Sequence, residues 1–246
     1  MARSRLPVVQ GQDWLGEWTY AHRGLHGPDV CENSPAAFAG AIAAGLGIEC
    51  DVQASGDGKA MVFHDWTLDR LTGETGALRD RTADELAAIP LQSGGCIPSL
   101  EDLLVLVAGK VPLLIEVKSK RGMDWHPLCR SVARAVAPYR GAAAVMSFDP
   151  RIVRWFSRTL PGRPRGLVTG RGEGRHIAFG IERAVSIAHA RPTFIACDIR
   201  DLPDPALARY RANGLPLLTW TVRSRELMAR AMHHADAAIA EGAGLS

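Results

Sequence analysis

The amino-acid sequence predicts an α/β fold, a closed (β/α)8 barrel (TIM barrel) with one additional antiparallel hairpin strand after strand two. Apolar runs of strand length alternate with helical patterns along nearly all of the 246 residues, which is typical of a parallel sheet with crossover helices. One of the nine apolar runs cannot follow a crossover, and removing it leaves the eight strands of such a barrel. An open doubly wound sheet is the alternative, but no glycine-rich phosphate loop follows the first strand.

Each element is placed by its apolar pattern and its flanking residues. Strands are predicted at residues 18–22, 47–52, 59–64, 111–117, 142–148, 164–170, 193–199, 215–222 and 236–241. Helices are predicted at residues 35–44, 82–88, 99–107, 127–137, 150–158, 177–190, 205–212 and 224–233. Ser34 and Pro35 fit an N-cap followed by proline at the first helical position, and Gly45 fits the helix stop. We expect a single domain over residues 1–246, with residues 65–110 as a small cap within it.

The run at 59–64 is the additional strand. Only QASGDG separates it from the preceding strand, and a parallel neighbour needs a dozen or more connecting residues. Asp57-Gly58 is a hairpin turn signal. Asp51 lies six residues before Asp57 and His64 lies seven after it, so antiparallel pairing brings His64 back to about the level of Asp51.

Composition and charge narrow the classes of partner. The formal net charge is +3 and the basic residues are scattered, which favours a small anionic substrate over nucleic acid. The five cysteines include no CxxC pair, which argues against a disulfide framework or a structural zinc site. We find no signal peptide and no uncharged apolar run of about 18 residues, so the sequence predicts a cytoplasmic protein without stable membrane insertion. The sequence does not indicate an oligomeric state.

Chemistry in such a barrel sits at the carboxyl ends of the parallel strands, and ionisable or aromatic residues recur there. They are His22, Arg23, Glu49, Asp51, Glu116, Lys118, Phe148, Asp198 and Trp220. Asp198 and Arg200 also fit a structural ion pair, so we leave them outside the predicted site.

Three of these carboxylates predict a metal site. Glu49 and Asp51 are two apart on a strand, so their side chains share a face and repel each other unless a cation lies between them. Glu116 joins them from the next strand of the barrel. An all-oxygen cage suits one hard divalent cation, Mg²⁺ or Ca²⁺. A salt bridge to Arg23 or Lys118 is the alternative explanation for these buried charges.

The histidines add proton transfer to this metal site. His22, from the neighbouring strand, and His64, from the hairpin, would flank the cation, although either alone could be an ordinary loop histidine. Arg23 and Lys118 add fixed positive charge. Two imidazoles, one cation and two basic side chains describe a phosphodiester site, in which one imidazole acts as acid and the other as base.

The sequence resembles the glycerophosphodiester phosphodiesterase family over nearly its whole length and in the right order. The matching segments are AHRG (21–24), ENSPAAF (32–38), GIECDVQASGDGKAMVFHD (47–65), LDRLTGETG (68–76), IPSLEDLL (97–104), LLIEVK (113–118), SF (147–148) and TWTV (219–222). Each element alone is weak, whereas together they are highly specific.

This resemblance implies metal-dependent hydrolysis of a small glycerophosphodiester to an alcohol and glycerol 3-phosphate. It implies that His22 and His64 are the acid/base pair, that Glu49, Asp51 and Glu116 hold the metal, and that Arg23 and Lys118 contact the phosphate. Phe148 and Trp220 are similar to the family's aromatic pocket lining. The implied route begins with attack of the glycerol 2-hydroxyl on phosphorus and passes through a cyclic intermediate, with direct attack by water as the alternative.

The match departs from the family at the last strand, where the family often has Thr-Asp and this chain has Ala240 and Glu241. Glu32 and Asn33 could shape the entry to the first helix or help to order the site. Asp65 could be a turn residue or could orient His64. Two other functions stay open: a lysophospholipase D-like enzyme acting on lysophospholipids, and a phosphate- or metal-binding barrel without turnover.

Overall fold

The computed structural model describes residues 9–170 and 179–246, apart from the side chain of Phe179. Its strands are β1 (Tyr20–Ala21), β2 (Gly47–Ala54), β3 (Ala60–Val62), β4 (Leu113–Val117), β5 (Ala143–Ser147), β6 (Arg165–Thr169), β7 (Phe194–Asp198), β8 (Leu217–Val222) and β9 (Ala237–Ala240). Its helices are α1 (Pro35–Ala43), α2 (Ala83–Ala87), α3 (Leu100–Val107), α4 (His126–Val136), α5 (Pro150–Thr159), α6 (Phe179–Ala190), α7 (Pro205–Ala212) and α8 (Arg225–His234). Within these residues no helix is long and apolar enough to cross a lipid bilayer.

Eight of these strands form the closed parallel α/β barrel predicted from the sequence, and β3 lies outside the ring. The strand β3 runs antiparallel to β2, with Val62 opposite Val52, as the short connection requires. The Phe63 N–H donates to the Asp51 carbonyl oxygen at 3.0 Å. His64 therefore follows one residue beyond the level of Asp51, close to the predicted register.

The chain divides into two compact units, residues 20–143 and residues 1–19 with 144–246. In the first unit, β2 pairs in parallel with β1 on one side and β4 on the other. In the second unit, β5 to β9 pair in parallel in chain order and pack against α5 to α8. The single-domain organisation expected from the sequence stays a prediction.

Most predicted elements lie within a few residues of their predicted bounds. The Ser34 hydroxyl caps α1 by accepting from the Ala37 N–H at 3.1 Å, and Gly45 follows the helix at φ +67°. For α6, the predicted residues 177 and 178 lie outside the described part of the chain. The strand β1 is shorter than predicted, since a turn closed by the Gly24 N–H on the Ala21 carbonyl ends it before His22.

Residues 61–97, within the predicted cap and its preceding strand, contribute to a small apolar core of their own. It consists of Met61, Phe63, Leu68, Leu71, Leu78, Ala83, Leu86, Ile89, Leu91 and Ile97, all buried. The fold thus returns the chain from β3 to β4 through a segment with its own apolar packing.

Candidate active site

Three carboxylates meet where β2 and β4 pair in parallel, two from the middle of β2 and one from near the carboxyl end of β4. Glu49 and Asp51 follow each other on one face of β2, and the register of the parallel pair places Asp51 beside Glu116. Each residue offers a carboxylate oxygen, and these oxygens lie within 4.8 Å of one another. Glu49 and Asp51 are each only 2% exposed. The structure thus brings together the three residues that the sequence predicts as metal ligands.

Burial and mutual repulsion set the charge of this cluster. Burial, then the charges of Asp51 and Glu116, raise the pKa of Glu49 well above its ordinary value. Burial and the neighbouring Asp51 raise the pKa of Glu116 to about 7. Burial also works against ionised Asp51, but Lys118 and Arg23 outweigh it and hold the pKa of Asp51 below its ordinary value. A cation between the three carboxylates would relieve the repulsion that raises two of these pKa values.

Two basic side chains border the cluster. The Arg23 backbone N–H donates to Glu49 Oε2 at 3.0 Å, and Arg23 Nε lies 3.3 Å from Asp51 Oδ2. Lys118 Nζ lies 3.3 Å from Asp51 Oδ1 and 3.6 Å from Glu116 Oε1. The salt bridges considered as an alternative to metal binding are therefore present. Three carboxylates against two cations still leave an excess of acidic groups, and an all-oxygen donor set of this kind fits a hard divalent ion.

A glycine is required where Arg23 turns away from β1. Gly24 has φ +79°, and a Cβ at this position would lie 2.8 Å from the Ala37 Cβ of α1. The close approach of this loop to α1 explains the glycine after His22 and Arg23. It also places the Arg23 N–H against Glu49.

His64 follows the β2–β3 hairpin and is hydrogen-bonded to the carboxylate of Asp65. His64 Nδ1 lies 2.8 Å from Asp65 Oδ1, and because an ionised carboxylate only accepts, Nδ1 carries the proton and Nε2 is left as the acceptor. Burial, followed by the charges of Lys118 and Arg23, lowers the pKa of His64. The imidazole is therefore neutral at pH 7.

The buried Gln53 amide fixes the backbone of this hairpin. Its Nε2 lies 2.6–3.0 Å from the carbonyl oxygens of Phe63, His64 and Asp65. This anchoring residue stands on β2, two positions after Asp51, in the same alternation as the carboxylates. The i, i+2 spacing that predicted Glu49 and Asp51 could also have identified Gln53.

His22 lies in the turn directly after β1 and is half-buried. A ring nitrogen of His22 lies within 4.8 Å of one of His26. The strand β1 pairs with β2 through Ala21 and Ile48, so His22 follows at the level of Glu49.

Glu32 and Asn33, in the segment before α1, contact residues of the site. The sequence alone left open whether they do so or only shape the entry to the helix. Asn33 adopts φ +54°, and its side chain donates to Asp51 Oδ2 at 3.0 Å and accepts from the Asp51 N–H at 3.2 Å. Glu32 Oε1 accepts from Arg23 Nη1 at 2.7 Å. Arg70, which the sequence analysis missed, also donates to Glu32. Its signal was its place in the segment LDRLTGETG.

The remaining two predicted site residues, Phe148 and Trp220, lie in the other unit and contact each other. Their ring centroids are 5.4 Å apart in an edge-to-face arrangement, with Phe148 50% exposed after β5 and Trp220 on β8. Trp220 Nε1 donates to the Ala196 carbonyl at 3.2 Å. This contact produces an exposed aromatic edge at the carboxyl ends of the two strands.

Two acidic residues at the strand ends of this unit form ion pairs with arginines of the same unit. Asp198 receives two side-chain nitrogens of Arg200 and its backbone N–H, as the sequence suggested for a structural ion pair. Glu241, at the position where the family pattern is lost, accepts from Arg223 Nε at 2.5 Å.

Comparison with known proteins identifies the relatives of this chain. The model of the glycerophosphoryl diester phosphodiesterase family matches residues 22–243. The glycerophosphodiester phosphodiesterase of Caldanaerobacter subterraneus subsp. tengcongensis is 30% identical over 223 residues, which cover 85% of this chain and 87% of that one.

Solved structures agree on the fold. The Thermotoga maritima glycerophosphodiester phosphodiesterase has a TM-score of 0.72 and 26% identity, covering 90% of this chain and 93% of that one. An Oleispira antarctica phosphodiesterase, solved with its product sn-glycerol-3-phosphate, has a TM-score of 0.79 and 21% identity, covering 91% and 92%. With the family match over most of its length, this chain belongs to the glycerophosphoryl diester phosphodiesterase family and is a phosphodiesterase enzyme.

Proposed function

We propose that this chain hydrolyses small glycerophosphodiesters to an alcohol and glycerol 3-phosphate, and that it does so with one divalent cation, Mg²⁺ or Ca²⁺. The observation that carries the proposal is the buried cluster of Glu49, Asp51 and Glu116, with carboxylate oxygens within 4.8 Å of one another. The Oleispira antarctica relative, which shares the fold and was solved with sn-glycerol-3-phosphate, supports the product.

Glu49, Asp51 and Glu116 would hold the cation. When bound, it supplies positive charge that stabilises the charge developing on the phosphoryl oxygens. Arg23 and Lys118 already border the cluster, and we assign them to the phosphate oxygens, where a fixed guanidinium and ammonium stabilise the same charge without reorganisation. Asn33 donates a hydrogen bond to Asp51 and so holds this carboxylate in position.

His64 is assigned as the general base of the first step. Its Nε2 is the open nitrogen, because Nδ1 is bonded to Asp65, and its lowered pKa keeps it neutral at pH 7. It accepts the proton of the attacking glycerol 2-hydroxyl while that oxygen bonds to phosphorus. His22 gives a proton to the oxygen of the leaving alcohol as the P–O bond breaks.

The second step returns both histidines to their starting state. The cyclic diester formed in the first step is opened by water, which gives its proton to His22, while His64 protonates the 2-oxygen that leaves phosphorus. The sum is one water consumed, one alcohol released and one glycerol 3-phosphate formed. Direct attack by water on the substrate would form no cyclic diester, so phosphorus NMR of the reaction mixture separates the two routes.

Phe148 and Trp220 are proposed to contact the substrate. Phe148 is half exposed and is fixed by its edge-to-face contact with Trp220, which is itself bonded to the backbone of β7. A rigid aromatic edge offers contact area at low entropy cost and suits the carbon skeleton of a small substrate.

The experiment that tests the proposal measures release of glycerol 3-phosphate from glycerophosphocholine, with and without a chelator, followed by addition of Mg²⁺ or Ca²⁺. We expect release that the chelator abolishes and that one of the ions restores. Release from lysophosphatidylcholine but not from glycerophosphocholine would support the lysophospholipid alternative instead. Release that the chelator leaves unchanged would refute the metal role.

The histidine roles are tested with His22→Ala and His64→Ala. General acid–base catalysis contributes about 10²–10⁴-fold, so each variant should lose at least about 100-fold in kcat. His126→Ala is the matched control, because His126 is exposed, forms a similar 2.7 Å bond to Asp124 and is not part of the carboxylate cluster. Wild-type turnover in the His64 variant would refute the proposed mechanism.

A further inference from the structure

We propose that Arg70 is a positioning residue for this reaction. Its guanidinium binds both Asp65, which contacts His64, and Glu32, which contacts Arg23, and we call this pair of contacts the clamp. The inference rests on the proposed function, since it assumes that His64 moves the proton and that Arg23 binds phosphate. Its evidence is separate from the metal cluster and consists of the hydrogen bonds of the Arg70 guanidinium.

The guanidinium of Arg70 makes two hydrogen bonds to each of two carboxylates. Nε donates to Asp65 Oδ2 at 2.6 Å and Nη2 donates to Asp65 Oδ1 at 3.0 Å. Nη1 donates to Glu32 Oε2 at 2.9 Å and Nη2 donates to Glu32 Oε1 at 2.7 Å. Both pairs have the planar, two-pronged geometry in which arginine binds a carboxylate most strongly.

Each clamped carboxylate contacts one functional side chain with an oxygen that Arg70 also holds. Asp65 Oδ1 bonds to His64 Nδ1 at 2.8 Å. Glu32 Oε1 bonds to Arg23 Nη1 at 2.7 Å. The position of the imidazole and the position of the phosphate-binding guanidinium therefore both depend on the same side chain.

The backbone around Arg70 is fixed by its neighbours. Leu68 and Leu71 are buried in the small core, and the buried Thr72 hydroxyl donates to the Leu68 carbonyl at 2.9 Å. The Gln92 N–H donates to the Leu71 carbonyl at 3.0 Å. Arg70 thus extends from an anchored turn, and its clamp is set before substrate arrives.

Ion pairs at exposed sites usually contribute little to folding stability, and the Arg70 side chain is 48% exposed. The clamp differs from such pairs because all of its bonds are two-pronged and belong to one network. Its effect on the partners is visible in their acidity. The hydrogen bonds from Arg70, followed by that of His64, lower the pKa of Asp65 to about 2.

The test compares Arg70→Met and Arg70→Lys with the wild-type enzyme, using glycerophosphocholine and the restoring ion. Mutation of groups that orient ligands or catalytic side chains typically lowers activity by about 10–100-fold. We therefore expect kcat to fall by about that factor in Arg70→Met, with KM nearly unchanged. Arg70→Lys should recover little, because a lysine ammonium cannot form two-pronged bonds to two carboxylates. Arg81→Met is the matched control, since the Arg81 side chain, in the same segment, is 41% exposed and makes a 3.3 Å contact to Glu74.

A pH–rate profile supplies a readout that a purely structural role would not move. Loss of the Arg70 charge leaves Asp65 to interact with His64 alone, which favours the protonated imidazole. The limb of the profile that reports His64 should therefore move to higher pH in Arg70→Met. Circular dichroism checks the folding of both variants, and Arg70→Lys, which keeps the charge, carries the test if Arg70→Met does not fold.

Several results would overturn the proposal. A lower melting temperature with unchanged kcat would make Arg70 a structural residue, and a higher KM with unchanged kcat would make it a substrate contact. Full activity in Arg70→Lys would show that charge alone suffices. Wild-type turnover in His64→Ala would instead refute the proposed role of His64, whereas a His64→Ala variant with strongly reduced kcat beside a fully active Arg70→Met would refute the positioning role only.

Discussion

Asp51 and Asp198 are both buried aspartates on parallel strands, yet their partners differ. Asp51, 2% exposed on β2, is bonded or paired with Asn33, Arg23 and Lys118, which come from three other segments of the chain. Asp198, 3% exposed at the end of β7, is bonded by Arg200, two residues further along the same chain segment.

The difference in partners distinguishes Asp51, which belongs to the candidate active site, from Asp198, which caps a short turn. The Asp198 carboxylate accepts from the Arg200 N–H at 2.9 Å and so begins the short 3-10 turn Ile199–Asp201, which is a local task. The partners of Asp51 are distant in sequence, two of them (Arg23 and Lys118) are charged, and they converge on it only because the fold brings them together. A buried carboxylate on a parallel strand is a functional candidate when its partners come from other elements.

The largest expected effect tests this comparison directly. Asp51→Asn should remove a ligand of the cation, which supplies several kcal/mol of charge stabilisation, so activity should fall by about 10³-fold or more. Asp198→Asn should leave kcat near the wild-type value and should lower the free energy of unfolding by at most about 1 kcal/mol, because Asn keeps an N-cap oxygen and loses only the ion pair with the Arg200 side chain. Glycerol 3-phosphate release and urea unfolding measure the two effects.

An equal loss of activity in both aspartate variants would break the comparison. It would place the carboxyl end of β7 in the reaction despite its local ion pair. Titration of the ion by calorimetry adds a second check, since only Asp51→Asn should weaken binding.

An effect of intermediate size is expected in how the folding stability of the metal-free enzyme depends on pH. Glu116 has a pKa of about 7 in the folded chain against an ordinary value of 4.5, and the pKa of Glu49 is raised in the same direction. The stability that Glu116 contributes is present below about pH 4.5 and is lost as pH rises through about 7, and the raised pKa of Glu49 acts in the same direction. Saturating divalent ion, at about 100 times its Kd, should then raise the melting temperature by about 5–10 °C at pH 8.

At pH 5 the same ion must displace protons from these carboxyls, so the rise in melting temperature should be smaller. Thermal unfolding followed by circular dichroism at both pH values measures the difference. Asp51→Asn is the control that should lose most of the rise. An ion effect that is larger at pH 5 than at pH 8 would contradict the assignment of these carboxylates as ligands.

The smallest expected effect distinguishes the aromatic edge from the charged cluster. Aromatic contacts contribute about 0.5–1.5 kcal/mol beyond burial, so Phe148→Ala should raise KM by about 2–10-fold and leave kcat nearly unchanged. Val105→Ala, which removes another exposed apolar side chain, is the control. A fall in kcat without a change in KM would assign Phe148 to the chemistry rather than to substrate contact.

The sequence was most informative where spacing along one strand decides geometry. The alternation of Glu49 and Asp51, the short QASGDG connection and the count of apolar runs determined the barrel, the extra strand and the acidic cluster. The end of β1 was less predictable, because the turn after it depends on Gly24 packing against α1. The segment LDRLTGETG marked the neighbourhood of Arg70 but not its role, since its two partners lie 38 and 5 residues away and meet only in the folded chain.

The small core of residues 61–97 has a consequence for how the enzyme fails. Because this segment packs its own apolar residues, it can open locally as a cooperative unit while the parallel strands stay folded. Such an opening would carry away His64, Asp65 and Arg70 but leave the carboxylates of β2 and β4 in place. We therefore expect ion binding to outlast turnover on heating, with the segment between β3 and β4, and not the parallel strands, limiting the temperature range of activity.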